Sequence, residues 1–301
     1  MSSFVAIEWG TARLRARLIS ADGLTLDEMS ETVRLSALQR ADIVERIAGI
    51  RDRWPAAETP FLLTGMIGSA QGWIDVPHIA CPAGPEQIAA NVARSTIAGV
   101  DVAIGPGLRC VSRFGDPDLL RGEEVAAIGL VSDAALPDRA LLVSVPGMHG
   151  KWIELAPGRI VGFHTSITVE IYHALAAQSI LAPLMAGTAK PGDAFRRGVD
   201  RGAEGGGLGR LLFSARTGVS ANTLSPEDAA SYLWGILIGA DLRENLDDAG
   251  GENRQCYVTG ADDVAPLFVA ALGHMGVAAT LLDTDVVSAR GFCRLRERAM
   301  A

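Results

Sequence analysis

The stretch 4-FVAIEWGTARLRARLISADGLTL-26 decides the fold, because it predicts three short strands separated by two tight turns. We expect these strands at Phe4–Trp9, Leu14–Ile19 and Leu24–Ser30. In the second strand, arginines at 13, 15 and 17 alternate with apolar residues, which is the period of a half-buried strand. Glu8 stands where the first strand ends and a Gly-Thr turn begins, so it is the first candidate for a ligand-binding side chain.

The same organisation returns at 141-LLVSVPGMHGKWIELAPGRIVGF-163, as strand, glycine turn, strand, Pro-Gly turn and strand. Helices and strands alternate after each copy. This repeat predicts two α/β domains, residues 1–136 and 137–301, with the C-terminal helix able to pack back on the first domain. The expected helices are Ala41–Arg53, Pro85–Thr96, Arg121–Val131, Ile167–Leu181, Pro191–Arg201, Leu208–Ala215, Ser225–Asp247, Asp262–Met275 and a last one at the C-terminus; the remaining expected strands are Phe61–Thr64, Val100–Ile104, Cys256–Thr259 and Val277–Leu282.

Composition excludes several classes of partner. A net charge of −8 argues against nucleic acid or an anionic membrane surface. No apolar run approaches the roughly 20 residues needed to span a bilayer, and the N-terminus does not read as a signal peptide. The four cysteines are far apart and lack metal-ligand spacing, which indicates reduced thiols in a cytoplasmic protein. The oligomeric state stays open, with a homo-oligomer among the options.

The two glycine turns, "EWGTAR" and "VPGMHGKW", are the first candidate sites. Glycine lets the backbone approach a ligand closely, and turn N–H groups can bind an anion. Glu8 could hold Mg²⁺ directly or through water, while His149 and Lys151 could donate to phosphate. The alternative is two ordinary hairpin turns with solvated polar tips.

Further candidates follow along the chain. "LTGMIGSAQGW" (63–73) offers hydroxyl, amide and aromatic groups that suit a polyol, although it could be a plain surface loop. Arg109 in "GPGLR" could pair with a carboxylate. Glu123 and Glu124 could accept a hydroxyl proton, although acids at a helix start are favoured by the helix dipole alone. "YVTGADDV" (257–264) could seat a purine ring over its glycine, although Asp262 could simply cap a helix.

The familiar phosphate and nucleophile signatures are absent. The sequence has no GxxxxGKS/T loop, no GxGxxG after the first strand, no GxSxG and no HExxH. This narrows the chemistry to a site built from the segments above.

Together these segments resemble the 2-dehydro-3-deoxygalactonokinase family of the sugar-kinase, heat-shock-chaperone and actin superfold. The family carries "DWGTTNLRAWL", "GMIGSRQGW", "RGEE" and "PGTHSKW"; this chain has "EWGTARLRARL", "GMIGSAQGW", "RGEE" and "PGMHGKW" in the same order. The resemblance implies a two-domain actin-like ATPase fold, ribonuclease H-like and duplicated, with a central nucleotide cleft. It also implies transfer of the ATP γ-phosphoryl group to the 6-hydroxyl of 2-dehydro-3-deoxy-D-galactonate, in galactonate breakdown.

The roles implied by the resemblance divide the site in two. The first domain would bind the sugar acid and the second the nucleotide, with ATP and Mg²⁺ as cofactors. Glu8 would serve Mg²⁺, and the pair Glu123 and Glu124 would include the base, with Glu124 preferred. The nucleotide would contact Gly10, Thr11, Gly147, His149, Lys151, Gly260 and Ala261; the sugar acid would contact Gly68, Ser69, Gln71, Trp73 and Arg109.

Three positions depart from the family pattern. Glu8 replaces Asp, Met148 replaces Thr and Gly150 replaces Ser. The longer Glu8 side chain favours a contact to Mg²⁺ through water, and the other two changes remove possible phosphate donors. A non-catalytic sugar-acid or nucleotide-binding protein, and a kinase for a related sugar acid, are therefore the alternatives.

Overall fold

The computed structural model describes residues 2–246 and 255–300. The chain divides into two compact units. Unit 1 contains the residues up to 139, residues 153–164 and the residues from 283 onward, and unit 2 contains 140–152 and 165–282. The sequence predicted one domain boundary, between residues 136 and 137. In the structure the chain leaves unit 1 after residue 139 and returns to it at residue 153 and again at residue 283. The C-terminal helix belongs to unit 1.

The elements follow one another in a mixed α/β order. The strands are β1 (Ser3–Trp9), β2 (Arg13–Ser20), β3 (Thr25–Thr32), β4 (Glu58–Gly65), β5 (Ile79–Ala80), β6 (Ala93–Ile97), β7 (Val100–Ile104), β8 (Leu108–Val111), β9 (Pro117–Leu120), β10 (Ala140–Val145), β11 (Gly150–Ala156), β12 (Arg159–Ser166), β13 (Gln255–Gly260) and β14 (Ala279–Leu281). The helices are α1 (Arg40–Arg53), α2 (Pro85–Ala90), α3 (Glu124–Val131), α4 (Thr168–Gln178), α5 (Asp193–Glu204), α6 (Leu208–Ser220), α7 (Ala229–Leu246), α8 (Ala265–His274) and α9 (Thr284–Met300).

Two sheets repeat one strand order. The larger sheet runs β3-β2-β1-β4-β7-β6, and the second runs β12-β11-β10-β13-β14. In the first, β1 is antiparallel to β2 and parallel to β4; in the second, β10 is parallel to β13. The first five positions of the larger sheet therefore match the second sheet, which confirms the duplicated α/β fold predicted from the two glycine turns.

Each unit has its own apolar core. In unit 1 the core includes Ile7, Trp9 and Leu63 from the sheet and Ile47 from α1. In unit 2, Phe195 and Trp234 from α5 and α7 pack with Val143 and Val258 of the sheet. Within the described part of the chain, no helix is long and apolar enough to cross a membrane.

Several predicted elements are wrong in extent or type. Residues 93–96, predicted as the end of a helix, form strand β6, because Ala98 and Gly99 take positive φ angles of 53° and 74° and turn the chain back onto β7. Helix α8 begins at Ala265, so Asp262 does not cap it. The short strands β5, β8 and β9 were not predicted, and the predicted helix end at Asp247 lies outside the described residues.

Candidate functional site

In unit 1 the first candidate residues meet at the carboxyl ends of two parallel strands. Glu8 and Trp9 of β1 lie opposite Thr64 and Gly65 of β4. Gly65 has a φ of 88°, and a Cβ there would lie only 2.6 Å from the Trp9 carbonyl oxygen. Ligands of open α/β sheets bind beyond the carboxyl ends of the strands, so this edge is a natural place for a site.

Glu8 is held by a buried arginine that sequence reasoning took for part of a solvated strand face. Arg17 is 0% exposed; its Nη1 donates to Glu8 Oε2, and its Nη2 donates to Asp285 Oδ1 of α9 at 2.5 Å. Burial lowers the pKa of Arg17, but the carboxylates of Glu8 and Asp285 outweigh burial, so the net shift is upward. Ser288 donates to the other oxygen of Glu8 at 3.3 Å.

The turn after Glu8 is exposed, and one of its N–H groups is already used. Gly10 donates its N–H to the Arg13 carbonyl at 2.8 Å, and the Thr11 carbonyl accepts from the Leu35 N–H at 3.1 Å. The N–H of Gly10 therefore closes the turn. The predicted roles of Gly10 and Thr11 toward phosphate stay predictions.

The loop 65–73 is ordered by its own hydrogen bonds. Ser69 Oγ donates to the Met66 carbonyl at 2.7 Å. The Trp73 indole N–H donates to Ser95 at 2.9 Å, and the Arg40 guanidinium lies over the indole ring, 3.5 Å from its centroid. Arg40 therefore covers one face of the ring that was expected to meet a sugar. Gly68 is buried and Gln71 is exposed.

Glu124 is the buried carboxyl group of this edge. It is 1% exposed at the start of α3; Oε1 accepts from the Thr64 hydroxyl, and Oε2 accepts from the Gly122 N–H at 2.5 Å. Burial raises the pKa of Glu124 to about 7, with a smaller upward contribution from the charge of Glu123. A carboxyl group with this pKa suits a general base near neutral pH. Thr64, which orients it, was missed; its place directly before Gly65 was the available signal.

In unit 2 a second glycine brings two strands equally close. Val145 of β10 lies opposite Gly260 of β13. Gly260 has a φ of 144°, and a Cβ there would lie 2.3 Å from the Val145 carbonyl oxygen. The Ala261 N–H donates to that same oxygen at 3.0 Å. The structure therefore places the candidate residues Gly260 and Ala261 beside the start of the second glycine turn.

His149 and Lys151 of that turn have different surroundings. His149 is exposed, and its Nε2 lies 2.9 Å from Glu170 Oε2 of α4. Lys151 is only 6% exposed, and its ammonium donates to Thr165 at 2.5 Å. Gly147 is exposed and Gly150 is buried. The expected reach of Lys151 toward phosphate stays a prediction, since the structure places its charged end against Thr165.

Sequence reasoning also missed a buried carboxyl group behind this turn. Asp241 of α7 is 6% exposed and accepts from Ser166 at 3.0 Å and from Thr168 at 2.9 Å. Burial raises the pKa of Asp241 to about 6. Ser166 follows the Thr165 that holds Lys151, so Asp241 anchors the segment carrying that contact. Only its isolation in an apolar helix could have pointed to it.

Glu8 fits a metal through water better than directly. Arg17 occupies Oε2 of Glu8, and among the described residues no group of three His, Cys, Asp or Glu could hold a metal ion. Mg²⁺ is usually held by one or two carboxylates together with substrate phosphates and waters. The side chain of Glu8 is 26% exposed, which leaves Oε1 accessible to a metal-bound water.

The structure thus gathers the predicted residues into two groups. In unit 1, Glu8, the loop 65–73 and Glu124 converge at the ends of β1 and β4. In unit 2, the turn 146–149 adjoins Gly260 and Ala261. Arg109 is exposed on β8, part of a separate three-stranded sheet in the order β5-β8-β9. That the two groups serve one ligand cleft stays a prediction.

Comparison with known proteins assigns this chain to one family. The family model described as 2-keto-3-deoxy-galactonokinase matches residues 8–295. The 2-dehydro-3-deoxygalactonokinase of Escherichia coli K12 is 30% identical over 290 residues, covering 96% of this chain and 95% of the relative. A solved structure of a putative 2-dehydro-3-deoxygalactonokinase from Sinorhizobium meliloti has a TM-score of 0.84 at 29% identity and covers 98% of both chains.

A more distant solved structure bears on the fold alone. The activator of the 2-hydroxyisocaproyl-CoA dehydratase from Clostridium difficile, solved with ADPNP, has a TM-score of 0.51 at 9% identity and covers 99% of this chain. Together with the repeated strand order, this likeness confirms the predicted actin-like fold class.

Proposed function

Because the chain belongs to the 2-keto-3-deoxy-galactonokinase family, we propose that it transfers the γ-phosphoryl group of ATP to the 6-hydroxyl of 2-dehydro-3-deoxy-D-galactonate. The observation that carries this proposal is the buried Glu124, whose pKa lies near 7 at the ends of β1 and β4. In phosphoryl transfer, a positioned carboxylate accepts the hydroxyl proton as the new bond forms.

The chain's own residues would divide the work by unit. In unit 1, Glu124 takes the proton, and Thr64 and Gly122 hold its two oxygens in place. The loop with Gly68, Ser69, Gln71 and Trp73 lies at the same edge and binds the sugar acid, with Arg109 as a further candidate. In unit 2, Gly147, His149 and Lys151 would contact the phosphates, and Gly260 and Ala261 would contact the adenosine.

Mg²⁺ would neutralise phosphate charge as the transition state forms. Glu8 is the proposed contact, through water at Oε1, since Arg17 already neutralises Oε2. Arg17 and Ser288 fix the carboxylate in one orientation. None of the four cysteines, all of them described residues, forms a disulfide bond, which supports the further proposal of a reducing, cytoplasmic setting. A homo-oligomer stays a prediction.

Two observations favour a non-catalytic alternative. The ion pair with Arg17 reduces the negative charge that Glu8 can offer to a metal, and Met148 and Gly150 lack hydroxyl donors. A protein that binds ATP and the sugar acid without phosphoryl transfer would satisfy both facts.

A coupled ADP-release assay separates the two. With saturating ATP and Mg²⁺, we expect ADP production that depends on added 2-dehydro-3-deoxy-D-galactonate; the matched control replaces the acceptor with 2-dehydro-3-deoxy-D-gluconate, which differs at one hydroxyl. Equal rates with both acids would indicate a kinase for a broader set of acceptors. Calorimetric binding of the acid without any acceptor-dependent ADP would favour the binding protein.

A further inference from the structure

A cluster of charged side chains lies beside the loop 65–73. The side chains of Arg121, Arg109 and Asp75 all interact electrostatically with His78. Burial lowers the pKa of His78, and the charges of Arg121 and Arg109 lower it further against the opposing effect of Asp75. The carboxyl groups of both Asp75 and Glu124 interact with Arg121, so this region holds two guanidinium groups and two carboxyl groups.

Arg121 is fixed in this cluster by one half of its guanidinium. Nη2 donates to the Val76 carbonyl at 2.8 Å and lies 3.2 Å from Nδ1 of His78. Nη1 is buried and makes no hydrogen bond in the described structure. A buried donor without an acceptor costs about 1–3 kcal/mol, so a chain that retains one has a reason to do so.

The unpartnered nitrogen lies directly against Gly68. A Cβ at Gly68 would lie 3.0 Å from Arg121 Nη1 and 3.1 Å from Ile104 Cγ2, so the donor is packed directly against the loop backbone. Nη1 is buried in this conformation, so contact with a ligand requires the backbone at Gly68 to move away from it. The Gly68 carbonyl accepts from the Val76 N–H at 3.0 Å, which ties the loop to the segment that also holds Nη2.

We propose that Arg121 binds the carboxylate of the sugar-acid substrate through Nη1, a role that rests on the proposed kinase function. A guanidinium binds carboxylates and phosphates through strong charge-assisted hydrogen bonds, and a partly desolvated site strengthens the contact. The site thereby selects acids over neutral sugars. Arg109, the candidate from sequence, contributes its charge from an exposed position on β8.

The proposed carboxylate ligand and the proposed base belong to one short segment of the chain. Arg121 and Glu124 stand on either side of Gly122, whose N–H holds Glu124 Oε2. The charge of Glu124 raises the pKa of Arg121, against the larger effect of burial, which lowers it. Under this proposal one segment, 121–124, would both bind the carboxylate and accept the hydroxyl proton.

The test compares the acid with its neutral carboxamide as acceptors. For the parent protein we expect KM for the amide to exceed that for the acid by about 30-fold, the loss of one charge-assisted hydrogen bond in a desolvated site. In Arg121→Met the two KM values should converge, because the acid loses affinity and the amide does not. Arg121→Lys should recover part of the preference, since it keeps the charge without the fork.

A purely structural role for Arg121 predicts a different result. Loss of the Val76 and His78 contacts would weaken both acceptors alike and leave their ratio near 30. Retained preference in Arg121→Met, with loss of preference in Arg109→Met, would assign the carboxylate to Arg109 and overturn the proposal. If Arg121→Met does not fold, the ratio in Arg121→Lys and in Arg121→Gln decides the question.

A protein without kinase activity would give a different result in these assays. If the parent protein produces no acceptor-dependent ADP from either compound, the proposed function fails. Calorimetric binding of acid and amide then still tests Arg121, because recognition of the carboxylate does not require transfer.

Discussion

Replacing Glu124 with Gln tests the base directly, because it removes the proton acceptor and keeps the shape of the side chain. Both carboxylate oxygens accept hydrogen bonds, from Thr64 and from the Gly122 N–H. An amide has one accepting oxygen, which can stay on the Gly122 N–H while the Thr64 hydroxyl rotates to accept from the amide nitrogen. We therefore expect a folded variant whose kcat falls about 10²–10⁴-fold, the usual contribution of a general base.

The raised pKa fixes the pH dependence of the parent enzyme. With the pKa of Glu124 at about 7, the group must lose its proton before it can act as a base. The rate should fall about tenfold for each pH unit below 7 and level off above it. The residual rate of Glu124→Gln should lack this dependence.

The same shift predicts a change in stability. The folded protein raises the pKa of Glu124 from 4.5 to about 7, so it binds this proton more tightly than the unfolded chain. That contribution, about 3 kcal/mol, is fully present below pH 4.5 and is lost as the pH rises through 7. Because Gln binds no proton, the free energy of unfolding of Glu124→Gln relative to the parent should rise by about 3 kcal/mol between pH 4 and pH 8.

Glu123→Gln is the matched control. Its charge contributes to the raised pKa of Glu124, so its removal should shift the pH profile toward lower pH and leave the plateau rate nearly intact. The assay is acceptor-dependent ADP release between pH 5.5 and 8.5, with denaturant unfolding at the two ends. A plateau rate that survives in Glu124→Gln but collapses in Glu123→Gln would refute the assignment, and a flat parent profile would refute the role of the pKa.

Three further substitutions test other buried groups. The pKa of Asp241 is raised to about 6, so its proton stabilises the folded protein by about 3 kcal/mol below pH 3.8, and this contribution is lost above pH 6. Asp241→Asn should remove this pH dependence of the free energy of unfolding. Denaturation at pH 3.5 and pH 8 measures the difference. Arg17→Met should destabilise the fold by about 1–3 kcal/mol, since the partly exposed carboxylates of Glu8 and Asp285 lose a charged hydrogen-bond donor. The exposed Arg13→Met, whose thermal melting should barely change, is its control. Gly260→Ala should lower the melting temperature, because its Cβ would collide with the Val145 carbonyl, whereas Gly273→Ala in α8, with open space at its Cβ, should not.

Periodicity and turn residues predicted the repeated part of the fold. The two glycine turns and their flanking strands follow from local sequence alone, since period-2 alternation and glycine are local signals. Strand β6 did not follow, because "ANVARST" is compatible with a helix and only the tight turn at Ala98 and Gly99 pairs it with β7. Strands β8 and β9 are four residues each, too short for periodicity to reveal.

The candidate site was predictable in composition but not in electrostatics. Glu8, the loop 65–73 and Glu124 were identified from sequence, and the structure places them together. The burial of Arg17 was hidden, because its partner Asp285 is 268 residues away and its strand alternates as a solvated face would. Likewise, two adjacent acids at 123 and 124 look equivalent in sequence, and only burial raises the pKa of one of them to about 7.

The two units share a backbone feature, a glycine at a strand end, that explains the position of both groups of candidate residues. In each unit, a glycine ends the strand that follows the three-strand meander, with positive φ, at 88° for Gly65 and 144° for Gly260. In each, a Cβ would collide with the carbonyl of the residue paired with it, Trp9 or Val145. A side chain at either position would push the two strand ends apart and displace the loop that follows. The loop after Gly65 carries Gly68, and the turn after Val145 carries His149. Glycine is therefore required at positions 65 and 260 to keep these candidate site residues in place.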